Sequence, residues 1–372
     1  MSEEIKGFLV LDIVFEGQSL NYDQGIGNIQ LLKKIHFNGE THTMVSRYAL
    51  RYSFLETGQN LWGWKLADRN VWVEVGKGSN KVLQPRSDLL CNLLDYVDLN
   101  LFGFLLTGES DKKEKNKKNK NESEDEESKK EKSISIARPA PVKISHAISL
   151  EPYKFDSHFN VNLGVAKRAG KLGDVQNVFQ LEEHRSLYKY TVAVDLAMLG
   201  KQEVYFNEDK NIPENCKQYL KKENGYYALT LKSSEDQRKL LLQLLVTLFR
   251  LSRSIKGRHE DLSPKFMIAS YYTDWYKSYF NYIELKTGKS RSTMIKKEND
   301  NTVIVEDLQS PHLILSIGTA INNNSKIYKV PSIDLDQNLQ VYENPKDMIY
   351  YLNKEITKLS DSDIKDIADR SI

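Results

Sequence analysis

Residues 7–15 constrain the fold most strongly, because they are apolar at almost every position. In an extended strand, alternate positions share one face of the sheet. One face of this strand is entirely large and apolar: Leu9, Leu11, Ile13 and Phe15. The other face has one polar exception: Phe8, Val10, Asp12 and Val14. Strands that are apolar on both faces are typical of a sheet interior, so the sequence predicts a central, largely buried strand.

A polar, glycine-containing bend at residues 21–28 follows this strand, and a helix is predicted to begin at Ser46. Ser46 is a good N-cap residue, because its hydroxyl can accept a hydrogen bond from a free N–H group of the first turn. Val45 and Leu50 have the spacing of a hydrophobic staple around such a cap. Gly58 is typical of the end of a helix. The segment therefore predicts a capped helix from about residue 46 to residue 58.

The start of this helix is a candidate anion site. First-turn N–H groups and the positive end of the helix dipole favour an anion. Arg47 and Arg51 are four positions apart, so they share one face of the helix. Together with Asn21 in the bend and Ser46, they could bind phosphate groups. A capped surface helix with two solvated arginines would have the same sequence, so this alternative stays open.

The later elements complete a strand–helix–strand order. A helix with an apolar stripe is predicted between strands, and a further amphipathic helix is predicted near the end of the chain. The strands are expected at residues 187–196, 265–272 and 312–320. One helix is expected from Ser234 to near Gly257, with its apolar stripe from Leu240 to Phe249, and the other at residues 344–358. The order predicts an α/β (α+β) fold with a ferredoxin-like, RNA-recognition-type antiparallel sheet.

Composition leaves the function open. The chain has 372 residues and a formal net charge of +2, so nucleic-acid binding must come from where the charges lie.

Cys91 and Cys216 match no metal spacing and predict reduced thiols in a cytoplasmic protein. No signal peptide and no apolar run of membrane length is evident. The sequence contains no complete catalytic, metal or cofactor motif. Residues 287–290 resemble the end of a phosphate-binding loop, but that motif also needs a glycine at position 283, which is Ile.

Residues 109–132 differ from the rest of the chain. They contain nine Lys, nine Asp or Glu, three Asn and three Ser, and no apolar residue. Such a segment cannot bury a core and is predicted to be disordered. A solvated loop and a flexible loop over a nucleic-acid channel are both compatible with this composition.

Four segments, in this order, resemble the backbone subunit of CRISPR Cascade complexes, and more narrowly the type I-B DevR family of the RAMP superfamily. The first is V-S-x-x-A-L-R at residues 45–51. The second, residues 94–103, contains two aspartates and ends in L-F-G. The third, residues 135–152, contains R-P-A-P-V and S-H-A-I-S-L. The fourth is E-E-H at residues 182–184, before a strand. The resemblance covers roughly the first two hundred residues.

This resemblance implies a fold and a function. The fold would be one domain, residues 1–372, with a helical finger region and a hairpin thumb inserted into the ferredoxin-like core. The protein would not be an enzyme. Copies would stack head to tail along a CRISPR guide RNA with other Cascade subunits, and target DNA would pair with the guide.

The basic residues are candidates for RNA contact under this hypothesis. The thumb is expected at residues 157–186, with a wedge at Leu163 or Leu172. A second basic run follows the helix that begins at residue 234, and this helix is predicted to carry Arg250 and Arg253 and to end near Gly257. The candidate RNA-binding residues are Asn21, Ser46, Arg47, Arg51, Arg138, Lys143, Lys167, Arg168, Lys171, Arg253, Lys256 and Arg258.

Two other functions stay open. Backbone subunits of type III complexes resemble this fold and cut target RNA with a loop aspartate, for which Asp23 and Asp98 are the candidates. A sequence-specific DNA-binding regulator would need a recognition helix, and the sequence has no helix-turn-helix pattern.

Overall fold

The computed structural model describes most of the chain. The described residues are 5–37, 39–76, 81–107, 136–161, 163–170, 178–204, 212–223, 226–274, 276–298, 301–317, 321, 324–335 and 339–371. The segment predicted to be disordered, 109–132, lies outside them, as do Lys171 and Leu172.

Strands make up most of the regular structure in these residues. In chain order they are β1 (Phe8–Gln18), β2 (Ile29–Gln30), β3 (Lys34–Phe37), β4 (Glu40–Val45), β5 (Trp72–Val75), β6 (Val82–Pro85), β7 (Phe104–Leu106), β8 (Ile136–Arg138), β9 (Val142–Ile144), β10 (Ala147–Ser149), β11 (Ser157–Val161), β12 (Val178–Glu182), β13 (Arg185–Asp195), β14 (Lys201–Val204), β15 (Leu220–Glu223), β16 (Tyr226–Thr230), β17 (Ser252–Ile255), β18 (Arg258–Asp261), β19 (Phe266–Tyr272), β20 (Ile283–Glu298), β21 (Asn301–Ile317), β22 (Ser325–Lys329), β23 (Asp334–Leu335) and β24 (Val341–Tyr342).

The helices are fewer and mostly short. They are α1 (Arg47–Trp62), α2 (Val97–Phe102), α3 (Leu163–Arg168), α4 (Glu214–Lys217), α5 (Ser234–Phe249), α6 (Pro345–Leu352) and α7 (Asp361–Ala368). Further helical segments are 3₁₀ at Ser87–Asp95, Phe280–Tyr282 and Asp369–Ser371, and π at Asn353–Thr357.

The main sheet has the order β24-β22-β19-β1-β13-β10-β4-β3. Its centre, β19-β1-β13-β10, is the strand order of a ferredoxin-like β-α-β-β-α-β unit in which α1 and α5 are the two helices. β1 pairs antiparallel with β19, and β10 pairs antiparallel with β13. The predicted α/β fold class with an antiparallel core is therefore confirmed.

Residues 9–15 of β1 are buried as their sequence predicts, including Asp12, the one polar residue among them. Asp12 is fully buried, and burial raises the pKa of its carboxyl. One carboxylate oxygen accepts hydrogen bonds from the Thr191 and Ser278 hydroxyls, at 2.6 and 2.7 Å, and the other accepts from the Tyr279 N–H at 2.6 Å. A buried polar group is tolerated when its hydrogen bonds are satisfied, which explains the interruption of the apolar pattern.

α1 begins where the sequence predicts and ends later. The Ser46 hydroxyl accepts a hydrogen bond from the Ala49 N–H at 3.2 Å, so Ser46 is the N-cap. The prediction that Gly58 ends the helix is wrong, because α1 continues through Gly58, which is buried. The helix ends at Trp62, before Gly63, whose φ of 67° is left-handed. Burial of the helix thus outweighs the low helix propensity of Gly58.

The chain forms two compact units. One consists mainly of Gly63–Val142 and Asp195–Arg238, and the other of Lys6–Trp62, Lys143–Val194 and Lys239–Ile372. The second unit contains the main sheet. The first unit has an apolar core of its own. It is formed by residues of β7, β8, β16, α2, α4 and the 3₁₀ turn at Ser87–Asp95, with one residue just before β5 and one just before α4: Val71, Leu90, Leu93, Leu99, Leu106, Ile136, Ile212, Cys216 and Leu229.

The prediction of two separate thiols is wrong. Cys91 and Cys216 form a disulfide inside the first unit, with their Cα atoms 5.4 Å apart. They are 125 positions apart in the sequence, so only the tertiary fold brings them together. Cys216 is fully buried in the apolar core of that unit.

Loss of this disulfide should destabilise the protein. In the absence of reductant, Cys91→Ser is expected to lower the free energy of unfolding by about 2–4 kcal/mol, because the bond restricts the unfolded chain. Denaturant unfolding followed by circular dichroism measures the effect, and added dithiothreitol should bring the wild type close to the variant. Coincident unfolding curves without reductant would contradict the disulfide.

Candidate nucleic-acid interface

The start of α1 is held by side chains from three places in the chain. The Ser46 N–H donates to Asn21 Oδ1 at 2.9 Å, and the Arg47 N–H donates to His146 Nδ1 at 3.0 Å. Ser46 itself caps Ala49. Three backbone donors at this helix start thus already have acceptors within the protein, and Asn21 and Ser46 fix its geometry. The Ser46 hydroxyl hydrogen can still donate to an anion.

Arg47 and Arg51 place two guanidinium groups beside this helix start. Arg47 is exposed, and its Nη2 donates to the Tyr48 hydroxyl at 3.0 Å. This hydrogen bond and the positive charge of Arg47 lower the pKa of the Tyr48 hydroxyl. Arg51 is partly exposed one turn later on the same helix. The positive end of the helix dipole adds to both charges, so the surface attracts anions.

Lys33 and His146 also belong to this surface, and sequence reasoning missed both. Burial lowers the pKa of the His146 imidazole, and the positive charges of Arg47 and Lys33 lower it further. Neutral His146 can accept the Arg47 N–H, as observed. β10 pairs with β4, which leads directly into α1, and this pairing brings His146 to the helix. No local signal marks such a residue, because strand pairing is not visible in the sequence around position 146.

The predicted hairpin is present. β11 and β12 pair antiparallel, from Ser157 with Glu182 to Val161 with Val178, and β12 also pairs with β2. Between the strands, Lys167 and Arg168 are exposed in the last turn of α3. Leu163 is exposed at the start of that helix, so the region presents both cations and an apolar side chain.

The base of this hairpin is held by buried carboxylates. Glu182 pairs with Lys34 at 2.5 Å and accepts the Leu32 N–H at 2.7 Å. Glu183 accepts the Ser19 hydroxyl at 2.6 Å. His184 Nδ1 lies 2.7 Å from Thr43 Oγ1. The E-E-H sequence therefore joins the hairpin to the bend after β1 and to β4. Buried acids of this kind are stable only when paired.

The basic run after α5 differs from its prediction. α5 ends at Phe249, and residues 252–261 form the β17–β18 hairpin. Lys256, at the hairpin turn, is exposed, and its Nζ lies 3.5 Å from Gln30 Oε1. The expectation that Arg253 lies on a helix ending near Gly257 is wrong.

Arg253 and Arg258 have structural partners. Arg253 donates to the Leu20 carbonyl at 2.9 Å and to Ser53 Oγ at 3.0 Å. Arg258 lies 3.4 Å from the Glu183 carboxylate and 3.3 Å from the Ser19 carbonyl. Both guanidinium groups are partly buried and engaged within the protein. Both residues therefore help to fix the segment after β1, and their role in RNA binding stays a prediction.

The prediction for Arg138 is also corrected. Its side chain is only 3% exposed, and burial lowers its pKa to about 9, so it remains charged at neutral pH. The guanidinium donates to the carbonyls of Asn100 and Met198, each at 2.9 Å, and to that of Lys201. It cannot reach a phosphate from this position. Lys143, on β9, is exposed as predicted.

Arg138 also explains the L-F-G segment. Gly103 ends α2 with a φ of 74°, and a Cβ atom there would lie 2.2 Å from the Arg138 carbonyl oxygen. Only glycine fits both the backbone angle and the contact. Two of the segments that resemble the family, residues 94–103 and 135–152, therefore contact each other inside the first unit.

The sequence profile of the family described as CRISPR-associated negative auto-regulator DevR/Csa2 matches residues 9–289. The chain belongs to the DevR/Csa2 family. Among curated proteins, the CRISPR-associated protein Cas7/Cst2/DevR of Myxococcus xanthus (strain DK1622) is 26% identical over 182 residues. That match covers 45% of this DevR/Csa2-family chain and half the length of the relative.

Two solved structures are more distantly similar. A chain of a CRISPR RNA-guided surveillance complex is 10% identical, with 92% of this DevR/Csa2-family chain and 99% of the other covered and a TM-score of 0.42. A chain of a pre-nicking CRISPR RNA-guided surveillance complex is 11% identical, with 73% and 80% covered and a TM-score of 0.40. TM-scores this low carry no argument about function.

The candidate nuclease residues of this DevR/Csa2-family protein have different surroundings. Asp23 is exposed in the bend, 3.6 Å from Lys33. Asp98 lies in the first turn of α2 and accepts the Ala67 N–H at 3.0 Å, which is a structural contact. Within the described residues, no three His, Cys, Asp or Glu side chains are grouped so that they could hold a metal ion. Among those same residues, no helix has the length and apolar character needed to span a bilayer.

His184 gives this structure a testable pH dependence. Burial lowers the pKa of His184 below its ordinary value of 6.5. The unfolded chain then binds a proton at a higher pH than the folded chain does, so this contribution to stability is present above pH 6.5 and is lost below it. His184→Gln should therefore cost more at about pH 8 than at about pH 5.5 when urea unfolding is measured. An unfolding cost of His184→Gln that is the same at the two pH values would contradict this dependence.

Proposed function

We propose that this DevR/Csa2-family protein is a non-catalytic backbone subunit of a type I-B CRISPR interference complex, Cascade, that acts in the cytoplasm in antiviral defence. Several copies bind head to tail along a guide RNA, together with other Cascade subunits. Target DNA is recognised through base pairing with the guide. Family membership supports this proposal, and the arginine pair at the start of α1 is the observation that carries it.

The α1 surface suits RNA whose sequence varies. Arg47 and Arg51 are long cationic side chains on one face, next to the positive end of a helix dipole. Contacts to phosphate fix the position of a strand without reading its bases. The backbone N–H groups of Ser46 and Arg47 already donate to Asn21 and His146. The arginine side chains and the Ser46 hydroxyl therefore make the contacts to phosphate.

The β11–β12 hairpin is the proposed thumb. Lys167, Arg168 and the neighbouring Lys171 would bind phosphates, and the exposed Leu163 would act as a wedge against a base. Lys143 and Lys256 are further exposed cations that could extend the RNA path. A head-to-tail interface that does not close on itself gives an open filament, as an RNA-coating subunit requires.

The experiment that tests this function compares nucleic acids of different sequence and form. Labelled single-stranded RNAs of unrelated sequence should bind the purified protein with similar affinity in an anisotropy titration. Double-stranded DNA should compete poorly. Tight binding to one duplex in an excess of random duplex would instead indicate a sequence-specific DNA-binding regulator. The family description itself names a negative auto-regulator.

The nuclease alternative needs its own assay, because Asp23 is exposed in the bend. The assembled complex is incubated with RNA complementary to the guide and with Mg²⁺. The proposed function predicts intact RNA. Regularly spaced cleavage that disappears in Asp23→Ala would contradict the non-catalytic assignment. Asp23→Asn is the matched variant that keeps the size of the side chain.

A further inference from the structure

Two tyrosines on α1 are unusually exposed. Tyr48 and Tyr52 are 65% and 64% exposed. They are four positions apart, so they project from the same face of the helix. Each ring places a large apolar area in water, which a surface helix does not need for its own stability. The two rings therefore form a surface that a partner could cover, and this surface is called the tyrosine pair.

The tyrosine pair is surrounded by positive charge. The Arg47 guanidinium carbon lies 5.0 Å from the centroid of the Tyr48 ring, and Arg47 also binds its hydroxyl. The charge of Arg51 also acts on Tyr48. Arg253 interacts electrostatically with Tyr52 and with Glu56, the acidic residue one turn further along α1. Three guanidinium groups against one carboxylate favour an anionic partner.

We propose that Tyr48 and Tyr52 form a stacking platform for bases of the bound single-stranded RNA. The inference rests on the proposed function and adds a second kind of contact to it. RNA is a polyanion with flat aromatic bases. Its phosphates match the guanidinium groups of this surface, and its bases match the exposed aromatic faces. Stacking is tolerant of sequence because every base has an aromatic face, so the platform suits a variable guide.

The arginines and tyrosines would then contribute differently. Phosphate contacts release counterions, so their contribution depends on salt. Stacking releases none, so its contribution is the same at every salt concentration. The Arg47 guanidinium lies beside the Tyr48 ring, so the two kinds of contact meet at one place on the helix.

The experiment measures affinity as a function of salt, with a labelled RNA short enough for one copy of the protein. Tyr48→Ala and Tyr52→Ala are each expected to weaken binding about tenfold at every salt concentration, with the slope unchanged. Tyr48→Phe and Tyr52→Trp keep an aromatic ring and should bind within about twofold of the wild type. Tyr350→Ala, an exposed tyrosine on α6, is the matched control and should bind as the wild type does.

A fluorescent base analogue identifies the contact directly. 2-Aminopurine in the RNA should be quenched on binding to the wild type and less quenched on binding to Tyr48→Ala. Wild-type affinity in both alanine variants would overturn the platform while leaving the proposed function intact. A loss seen only on long RNA that carries several copies would also overturn it, in favour of a contact between copies. A wild-type protein that binds no RNA would overturn both proposals.

Discussion

Replacing Arg47 and Arg51 together with alanine is expected to weaken the binding of every RNA sequence about equally. Each lost phosphate contact should reduce the slope of log affinity against log salt by about 0.7, so the double variant should lose about 1.4. The same relation gives a loss of about 25-fold in affinity at roughly 0.1 M salt and almost none near 1 M. The measurement is a series of anisotropy titrations across salt concentrations.

A control of equal charge separates local contact from net charge. Arg69 and Arg86 are exposed arginines outside α1, and Arg86 pairs with Asp88 at 2.6 Å. Their double alanine variant changes the net charge by the same amount. It should keep nearly the full slope. Equal losses in both double variants, or an unchanged slope in the α1 variant, would remove α1 as the RNA site.

Replacing Arg138 with alanine is expected to destabilise the protein strongly. The change removes the donors to the buried carbonyl of Asn100 and to the partly buried carbonyls of Met198 and Lys201. Each unsatisfied buried group costs about 1–3 kcal/mol. The free energy of unfolding should therefore fall by roughly 3–5 kcal/mol, as in other cases where one partner of a buried charged network is removed. Urea unfolding followed by circular dichroism measures the loss.

Lys143→Ala is the matched control for Arg138, because Lys143 was predicted from the same stretch of sequence and is exposed. Its effect on unfolding should stay within about 0.5 kcal/mol. An Arg138→Ala protein of normal stability that binds RNA poorly would contradict the structural role and restore the original prediction. Normal affinity of the folded fraction, with reduced stability, is the expected result.

Local signals predicted the parts of the fold that depend on neighbouring residues. The apolar pattern of β1 and the cap at Ser46 are both present, because burial on two faces and capping act within a few residues. The predicted end of α1 is wrong, because packing of Gly58 outweighs its low helix propensity. Helix ends depend on tertiary contacts more than helix starts with a strong cap do.

The candidate site was only partly predictable, because the sequence does not show whether a basic residue lies on the surface or in the interior. Arg47, Lys167 and Lys256 are exposed, whereas Arg138 and Arg253 bind carbonyl groups of distant segments. Those carbonyls belong to the backbone, so no complementary side chain in the sequence marks the contact. The contribution of His146 was missed for a related reason, since the pairing of β10 with β4 brings it to α1.

If this protein coats guide RNA, the nucleic acid that it retains from cells gives the most direct test. The protein is expressed, purified without nuclease, and the bound nucleic acid is extracted, sized and sequenced. We expect protected RNA of heterogeneous sequence, with ends derived from CRISPR repeats, in large filamentous particles. A clean monomer that carries no nucleic acid, and gains none when guide transcripts are co-expressed, would contradict it.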